Sequence, residues 1–327
     1  MLRLKYLFDN QDLAHMILEN WEYDYNDPNL LKYFRISSNA VYWCNNQDDT
    51  FFLRFAPAEE KIKEKILAEL EFLKYLRNND YPAVDTILSR SGNELEVVNT
   101  PWGTFYAVAF KKASGKQISQ TPLTKNLIFG LGKSLGKLHK LSSEFVPLNN
   151  KRDDWQETFC WMEDVLSTFP DQDDAKNELN ILKAYFSKLP NSKENYGLIH
   201  YDFETDNVFY DEITQDYTPI DFDDAMYHWY AMDLEQSLDS LKEDLPEDQV
   251  EPSVNEFITG YRSEYDISDE MLKLLPVFRR YANLYGYIRI LRSVEEKWNN
   301  EPDWMIDLRI TLENSLNNQK KSFGIAI

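Results

Sequence analysis

The stretch "LIHYDFETDNVFYD", Leu198 to Asp211, runs from aliphatic residues into a His, three acids and an amide, then out again through "VFY". A second acid-rich knot, "IDFDDA", follows from Ile220 to Ala225. Either the knots are turns between strands, or they are two halves of a metal and phosphate site. "GLIH" is an extended approach to His200, "NVFYDE" a strand leaving Asn207, and "YTPID" a strand that returns after a turn. A hairpin of this kind would hold Asn207 near Asp221 although they are far apart in sequence. An amide carbonyl and a carboxylate are hard oxygen ligands suited to Mg2+, which keeps waters and the phosphates of its substrate in its shell. Asp202, upstream in the loop, could then take the proton of an incoming hydroxyl. Phosphoryl transfer requires this division of labour.

The other polar residues of the knots have plainer readings beside the chemical ones. Asp206 reads as a turn residue. Asp223 lies on the same side as Asp221 if the backbone stays extended, which makes it a further metal candidate, whereas Asp224 would face elsewhere. His200 follows the apolar run "GLI" and is expected to shape the loop rather than act as a base. Four histidines scattered through the chain form no zinc pattern.

Composition bounds the rest. The chain has 327 residues, 43% hydrophobic and 14% aromatic, enough for a substantial core and two lobes. A formal net charge of -21 argues against nucleic acid as a partner and permits a cationic substrate. Cys44 and Cys160 each stand beside a Trp in apolar surroundings and read as buried free thiols. The N-terminal segment lacks a signal-like apolar core, and no window approaches a membrane span, so a soluble cytoplasmic protein is expected. Oligomeric state is not readable.

Outward from the knots, the pattern divides in two. "QDLAHMILENW" (Gln11–Trp21) reads as a short amphipathic helix, followed by the breaker "NDPN". "YFRISSNAVYWC" and "DTFFLRFAP" read as a hairpin across "NNQDD". Ala58 to Arg77 has helical spacing, with Ile62, Ile66, Leu73 and Leu76 on one stripe. Glu69 lies in the middle of that stripe, where a carboxylate needs a partner. "AVDTILS", "ELEVVN" and "TFYAVAFKKA" are further strands. At "KKASGKQISQTP" the pattern changes, which gives a lobe 1–112 with a largely antiparallel sheet and a mostly helical lobe 113–327: an α+β protein.

In the second lobe, Leu131, Leu135 and Leu138 define a helix face, with Gly132 and Gly136 allowing another backbone close and His139 facing inward. Two helices are expected within 150–196, and helical patterning covers 233–242, 247–263, 270–298 and 302–317. "KKSFGIAI" is a tail without a readable role. "PVFRRYANLYGYIRI" concentrates Arg279, Arg280 and Arg289 in an acidic chain; they either pair with acids or bind an anionic group.

His200-Tyr201-Asp202 with Asn207, followed by Ile220-Asp221-Phe222-Asp223, resembles the motifs of the aminoglycoside phosphotransferase and choline kinase family, which has a protein-kinase-like fold. The resemblance implies that Asp202 is the catalytic Asp, that Asn207 and Asp221 bind Mg2+, and that Asp233 braces the catalytic loop. It places Arg54 at the ATP phosphates with Glu69 as its partner, which would account for the lone acid in the apolar stripe. "GKSLGKLHKL" resembles the family's helix ahead of the catalytic loop, with His139 as its usual His. Many relatives have Gly where Tyr201 stands, His-Pro-Gly where Glu204-Thr205-Asp206 stands, and kinase-like proteins usually have Lys at the Arg54 position. "ISSNAVY" lacks glycine, so Ser38 and Asn39 are the candidates to cap phosphates. Main chain around Phe110 and Lys112 would form the hinge that meets adenine.

The expectation is therefore a two-lobed ATP- and Mg2+-dependent phosphotransferase that acts on a hydroxyl of a small alcohol or amino alcohol, such as an aminoglycoside, choline or homoserine. A catalytically weak or silent nucleotide-binding module on the same fold is the alternative, and a metal-dependent hydrolase a third.

Overall fold

A computed structural model describes residues 1–24, 30–46 and 49–325. The "NDPN" breaker, the tip of the "NNQDD" turn and the end of the C-terminal tail lie outside the described residues.

The first lobe is a six-stranded antiparallel sheet of β1 (Leu31–Ile36), β2 (Ala40–Asn46), β3 (Asp49–Pro57), β4 (Thr86–Ile87), β5 (Leu95–Thr100) and β6 (Gly103–Lys111). Its order is β1-β2-β3-β6-β4, with β5 also on β6. Strand alternation divides its faces. Phe51, Leu53 and Phe55 of β3 join Phe105, Ala107 and Ala109 of β6 in a core covered by α1 (Gln11–Leu18). Arg54 on β3 and Phe110 on β6 face the other way, toward α2 (Lys63–Asn78).

α2 begins later than the expected Ala58. Pro57 to Ile62 is a turn, and tertiary contacts hold it open: Arg3 and Arg292 take Glu60, and Lys61 pairs with Asp223. Side-chain ion pairs across lobes thus outweigh the helical propensity of "AEEK".

The second lobe starts where β7 (Lys116–Gln117) joins β9 (Val208–Tyr210) and β10 (Tyr217–Pro219) in a three-stranded sheet; β8 (Tyr196–Ile199) pairs with β11 (Met226–Trp229). The rest is helical: α3 (Lys125–Glu144), α4 (Trp155–Ser167), α5 (Asp173–Phe186), α6 (Tyr230–Glu243), α7 (Glu247–Arg262), α8 (Asp269–Leu272), α9 (Leu275–Ser293) and α10 (Asp303–Gln319). The expected helix 270–298 is broken into α8 and α9, with Pro276 in the first turn of α9, where its missing N–H costs nothing. Gly132 and Gly136 of α3 meet the carbonyls of Phe257 and Tyr261 on α7, and Gly260 meets Phe129 in return.

The cysteine expectation needs correcting in one half. Cys44 is buried and Cys160 is exposed. On α4 the buried side is set by Trp155, Phe159, Met162 and Leu166, so the position after Phe159 turns to solvent despite its aromatic neighbours. Among the described residues, no helix is long and apolar enough to cross a membrane.

Candidate active site

The loop after β8 is held almost residue by residue by α6. Asp233 accepts from the backbone N–H of His200 at 2.8 Å and of Tyr201 at 2.6 Å. Ser237 donates to the Phe203 carbonyl at 2.7 Å, and Ser240 accepts from the Thr205 N–H at 3.1 Å. Asp233, Ser237 and Ser240 follow one another at helical spacing, so a single face of α6 carries the clamps. Asp233 is itself fixed by His139 Nε2 at 3.0 Å, and His139 Nδ1 meets the Tyr261 hydroxyl at 2.8 Å. Burial holds His139 below the usual imidazole range against the pull of Asp233, so the ring is neutral, donating to the carboxylate and accepting from the tyrosine. His139 is the inward-facing core His that its position suggested, with two partners.

Held this way, the loop puts Tyr201 at φ 71, a left-handed conformation that a bulky side chain rarely adopts. This accounts physically for glycine in many relatives. Here two backbone bonds to Asp233 and edge-on packing of Tyr201 on Tyr285, 5.3 Å between centroids, oppose the strain. His200 orders the next step: its Nδ1 accepts from the Asp202 N–H at 3.1 Å, while Nε2 donates to the Ile220 carbonyl at 2.9 Å. It is fully buried and structural, and it ties the first knot to the second.

Asp202 lies within this frame, and Asn207 Nδ2 donates to its carboxylate at 2.7 Å. Burial first, then the charges of Glu204, Asp224 and Asp221, push the Asp202 carboxyl well above the ordinary range, with Arg289 opposing. β9 and β10 pair with Val208 opposite Pro219, and the Ile220 N–H donates to the Asn207 carbonyl at 2.9 Å. The hairpin thus delivers Asp221 next to the position opposite Asn207. Asp221 has φ 63, and its side chain is 42% exposed, open to the cleft although protein surrounds it. Those surroundings and Asp223 raise its carboxyl to about 6, against Arg54.

The left-handed turn at Asp221 ends the extended backbone on which the same-side expectation for Asp223 rested. A short 3-10 turn, Phe222–Asp224, follows. Asp223 is directed to Lys61 at 2.5 Å, and Asp224 to Arg289 at 2.7 Å. Burial would raise Asp223, but Lys61 and Arg54 outweigh it and hold the carboxyl low.

Above the hairpin, Arg54 donates to both oxygens of Glu69, at 2.8 and 2.6 Å, and stacks on Phe110 at 4.8 Å. The acid in the apolar stripe of α2 has its partner. Arg54 Nη1 is 3.6 Å from Asp221, so both lobes meet at this cation. Ser38 and Asn39 lie in the β1–β2 turn; Ser38 accepts from Arg289 at 3.0 Å, and Asn39 is buried. Phe110 pairs with Phe52 and Thr86 inside the sheet, and the main chain leaves the ladder at the exposed Lys112.

Two contributors carried no mark in the sequence. They are Lys61, which pairs with Asp223, and Arg152, which donates to the Asp223 carbonyl and to the Ala225 carbonyl at 2.6 Å. Their partners are distant in sequence, and no local pattern marks them. The face of α6 did carry a signal: polar Asp233, Ser237 and Ser240 at helical spacing in an otherwise buried helix. The arginines of α9 are paired, Arg279 with Glu235, Arg280 with Glu178 and Arg289 with Asp224.

The donor set suits a magnesium-bound nucleotide. The Asn207 amide nitrogen is committed to Asp202, which leaves its oxygen free to ligate an ion beside the accessible carboxylate of Asp221. Among the described residues, no group of three His, Cys, Asp or Glu stands ready for a metal. An ion here would draw the rest of its shell from phosphates and water, as Mg2+ does.

Two lobes that each lend one wall to a cleft, with a carboxylate poised beside an amide-and-carboxylate seat, make up the working parts of a small-molecule phosphotransferase. The chain belongs to the phosphotransferase enzyme family, APH, whose profile matches residues 34–269. It is 25% identical over 301 residues to amicoumacin kinase of Bacillus subtilis (strain 168), covering 87% of each protein. Amicoumacin kinase hAmiN, solved in complex with AMP-PNP, Ca2+ and Ami, is similar with a TM-score of 0.79 at 20% identity, covering 97% of this chain and 95% of that one. A microcompartment-associated aminopropanol kinase is similar with a TM-score of 0.72 at 19% identity, covering 94% of this chain and 95% of that one.

Proposed function

We propose that this phosphotransferase uses ATP and Mg2+ to phosphorylate a hydroxyl of a small amine-bearing alcohol. The observation that carries the reading is the Asp202–Asn207 hydrogen bond of 2.7 Å on a loop braced by Asp233. It holds a proton-accepting carboxylate and a metal-ligating amide in one rigid unit.

The geometry supports these roles. Asp202 orients the acceptor hydroxyl and takes its proton, a general-base contribution of about 10²–10⁴-fold. Asn207 and Asp221 would hold Mg2+, which supplies positive charge at the phosphates. Asp223, engaged with Lys61 through one carboxylate oxygen, adds negative charge beside that seat. Arg54, fixed by Glu69, faces the phosphates; Ser38 and Asn39 cap them, and main chain near Phe110 and Lys112 meets the base.

Glu204 supports an amine on the acceptor. Burial first, then Asp206, Glu243 and Asp239, raise its carboxyl to about 7, with Arg279 opposing. An ammonium group placed there would restore its charge and offset its burial. The names of the relatives point the same way, since aminopropanol is an amino alcohol.

Coupled ADP release across aminoglycosides, amicoumacin, aminopropanol, choline, homoserine and neutral sugars tests the reading. Stimulation by amine-bearing alcohols that disappears in Asp202→Ala supports it. No stimulation by any acceptor, or an undamaged Asp202→Ala, sinks it.

A further inference from the structure

The β1–β2 turn, the turn after Asp221 and the catalytic loop come from three separate parts of the chain; Arg289 bonds to the first two and meets the third through Tyr285. Its Nη2 donates to Ser38 Oγ at 3.0 Å and its Nη1 to Asp224 Oδ2 at 2.7 Å. Its charge acts on Asp202, and the face of Tyr285 supports its guanidinium at 5.2 Å. Tyr285 in turn packs on Tyr201 of the catalytic loop. The side chain is 19% exposed and lines a cavity of about 150 Å3 with Ser38, Lys61 and Asp224.

The cations in this part of the cleft each hold a carboxylate, and Arg289 holds a neutral hydroxyl as well. Both terminal nitrogens of Arg54 go to Glu69, and Lys61 goes to Asp223. Asp202, Asp221, Asp223 and Asp224 act on one another where anionic phosphates would have to arrive. A guanidinium offers five N–H donors, and the bonds to Asp224 and Ser38 use two of them. The bond to Ser38 is to a neutral hydroxyl, whereas a phosphoryl oxygen is charged and binds a guanidinium more strongly. The ion pair to Asp224 and the stack on Tyr285 keep the fork aimed while that exchange occurs.

We propose that Arg289 binds the phosphoryl group that is transferred, as a counter-charge supplied from α9 of the same chain. The inference rests on the kinase reading above. In the step it serves, the acceptor oxygen gives its proton to Asp202 and forms a bond to the γ-phosphorus. The bond from that phosphorus to the β,γ-bridging oxygen breaks, and its electron pair stays on ADP. The donors of Arg289 remain on the non-bridging γ-oxygens throughout, where charge has to be stabilised.

Calorimetric titration of wild type, Arg289→Ala and Arg289→Lys with AMP-PNP and with ADP, each with Mg2+, tests this. Arg289→Ala should weaken AMP-PNP by about tenfold or more and ADP by less than about twofold, since only AMP-PNP carries the γ-group; tenfold is one decade of Kd. Arg289→Lys should recover part of the loss because it restores charge without the fork. Thermal melts of each variant separate binding from folding. Parallel losses for both nucleotides in Arg289→Ala would make the contact a lobe latch and overturn the proposal, as would unchanged AMP-PNP affinity in Arg289→Ala. Wild type that binds neither nucleotide would overturn the kinase reading itself, a failure visible before any variant is made.

Discussion

Arg54 on β3 and Glu69 on α2 form a two-bond fork at 2.8 and 2.6 Å, with both side chains almost wholly out of solvent. Removing one member leaves the other charge buried without compensation, which costs about 3–5 kcal/mol. Glu69→Ala is therefore expected to lose that much stability in urea unfolding, and nucleotide affinity with it. Arg54→Lys keeps a charge but cannot make both bonds, so its loss should be smaller. Equal stability of Glu69→Ala and wild type would show that the pair does not hold the lobe.

Asp202→Asn keeps the size of the side chain and can still accept from Asn207 through its oxygen. It is expected to lower kcat by about 10²–10⁴-fold, the range for loss of a general base, with nucleotide affinity little changed. Steady-state kinetics and nucleotide titration on the same preparation check both halves. A parallel collapse of affinity would place Asp202 in binding instead.

His228 is fully buried among Phe186, Trp229, Phe278 and Tyr281, with no hydrogen-bond partner of good geometry for either ring nitrogen. Burial lowers its pKa to about 3, despite opposing contributions from Asp233 and the Trp229 backbone. The unfolded chain takes up this proton near pH 6.5 and the folded one does not until far lower, so stability present above about 6.5 is lost as pH falls toward 3. Between pH 6.5 and 5 the loss from this residue is about 2 kcal/mol. His228→Phe should flatten that slope in urea unfolding measured at pH 7 and pH 5. An unchanged slope would locate the acid sensitivity elsewhere.

Gly132 of α3 faces the Phe257 carbonyl so closely that a Cβ would overlap it. Gly132→Ala gains helix propensity but must push α7 away, and overpacking of this kind costs about 1–3 kcal/mol, occasionally more. A lowered melting temperature is expected, and a raised one would contradict the close packing of α3 on α7.

Much of the site could be read from local pattern. Asp202, Asn207 and Asp221 lie on one hairpin, so the period of two and a single turn were enough to bring the last two together. Glu69 announced a missing partner, because a carboxylate inside an apolar stripe is costly whatever surrounds it. Arg54 as that partner came from resemblance, and strand alternation shows why it faces α2. Cys160 misled because its aromatic neighbours belong to a face it does not share.

Sequence alone determined the two-lobed α+β plan and the hairpin that carries the candidate site, because those depend on periodicity, turns and short spacing; the family was legible through the resemblance of the two polar motifs. Tertiary structure decided where Asp223, Asp224, Lys61 and Arg289 go. The left-handed turn at Asp221 redirects the residues after it, and their partners lie far away along the chain, where only the packing of α2 and α9 around the cleft brings opposite charges together.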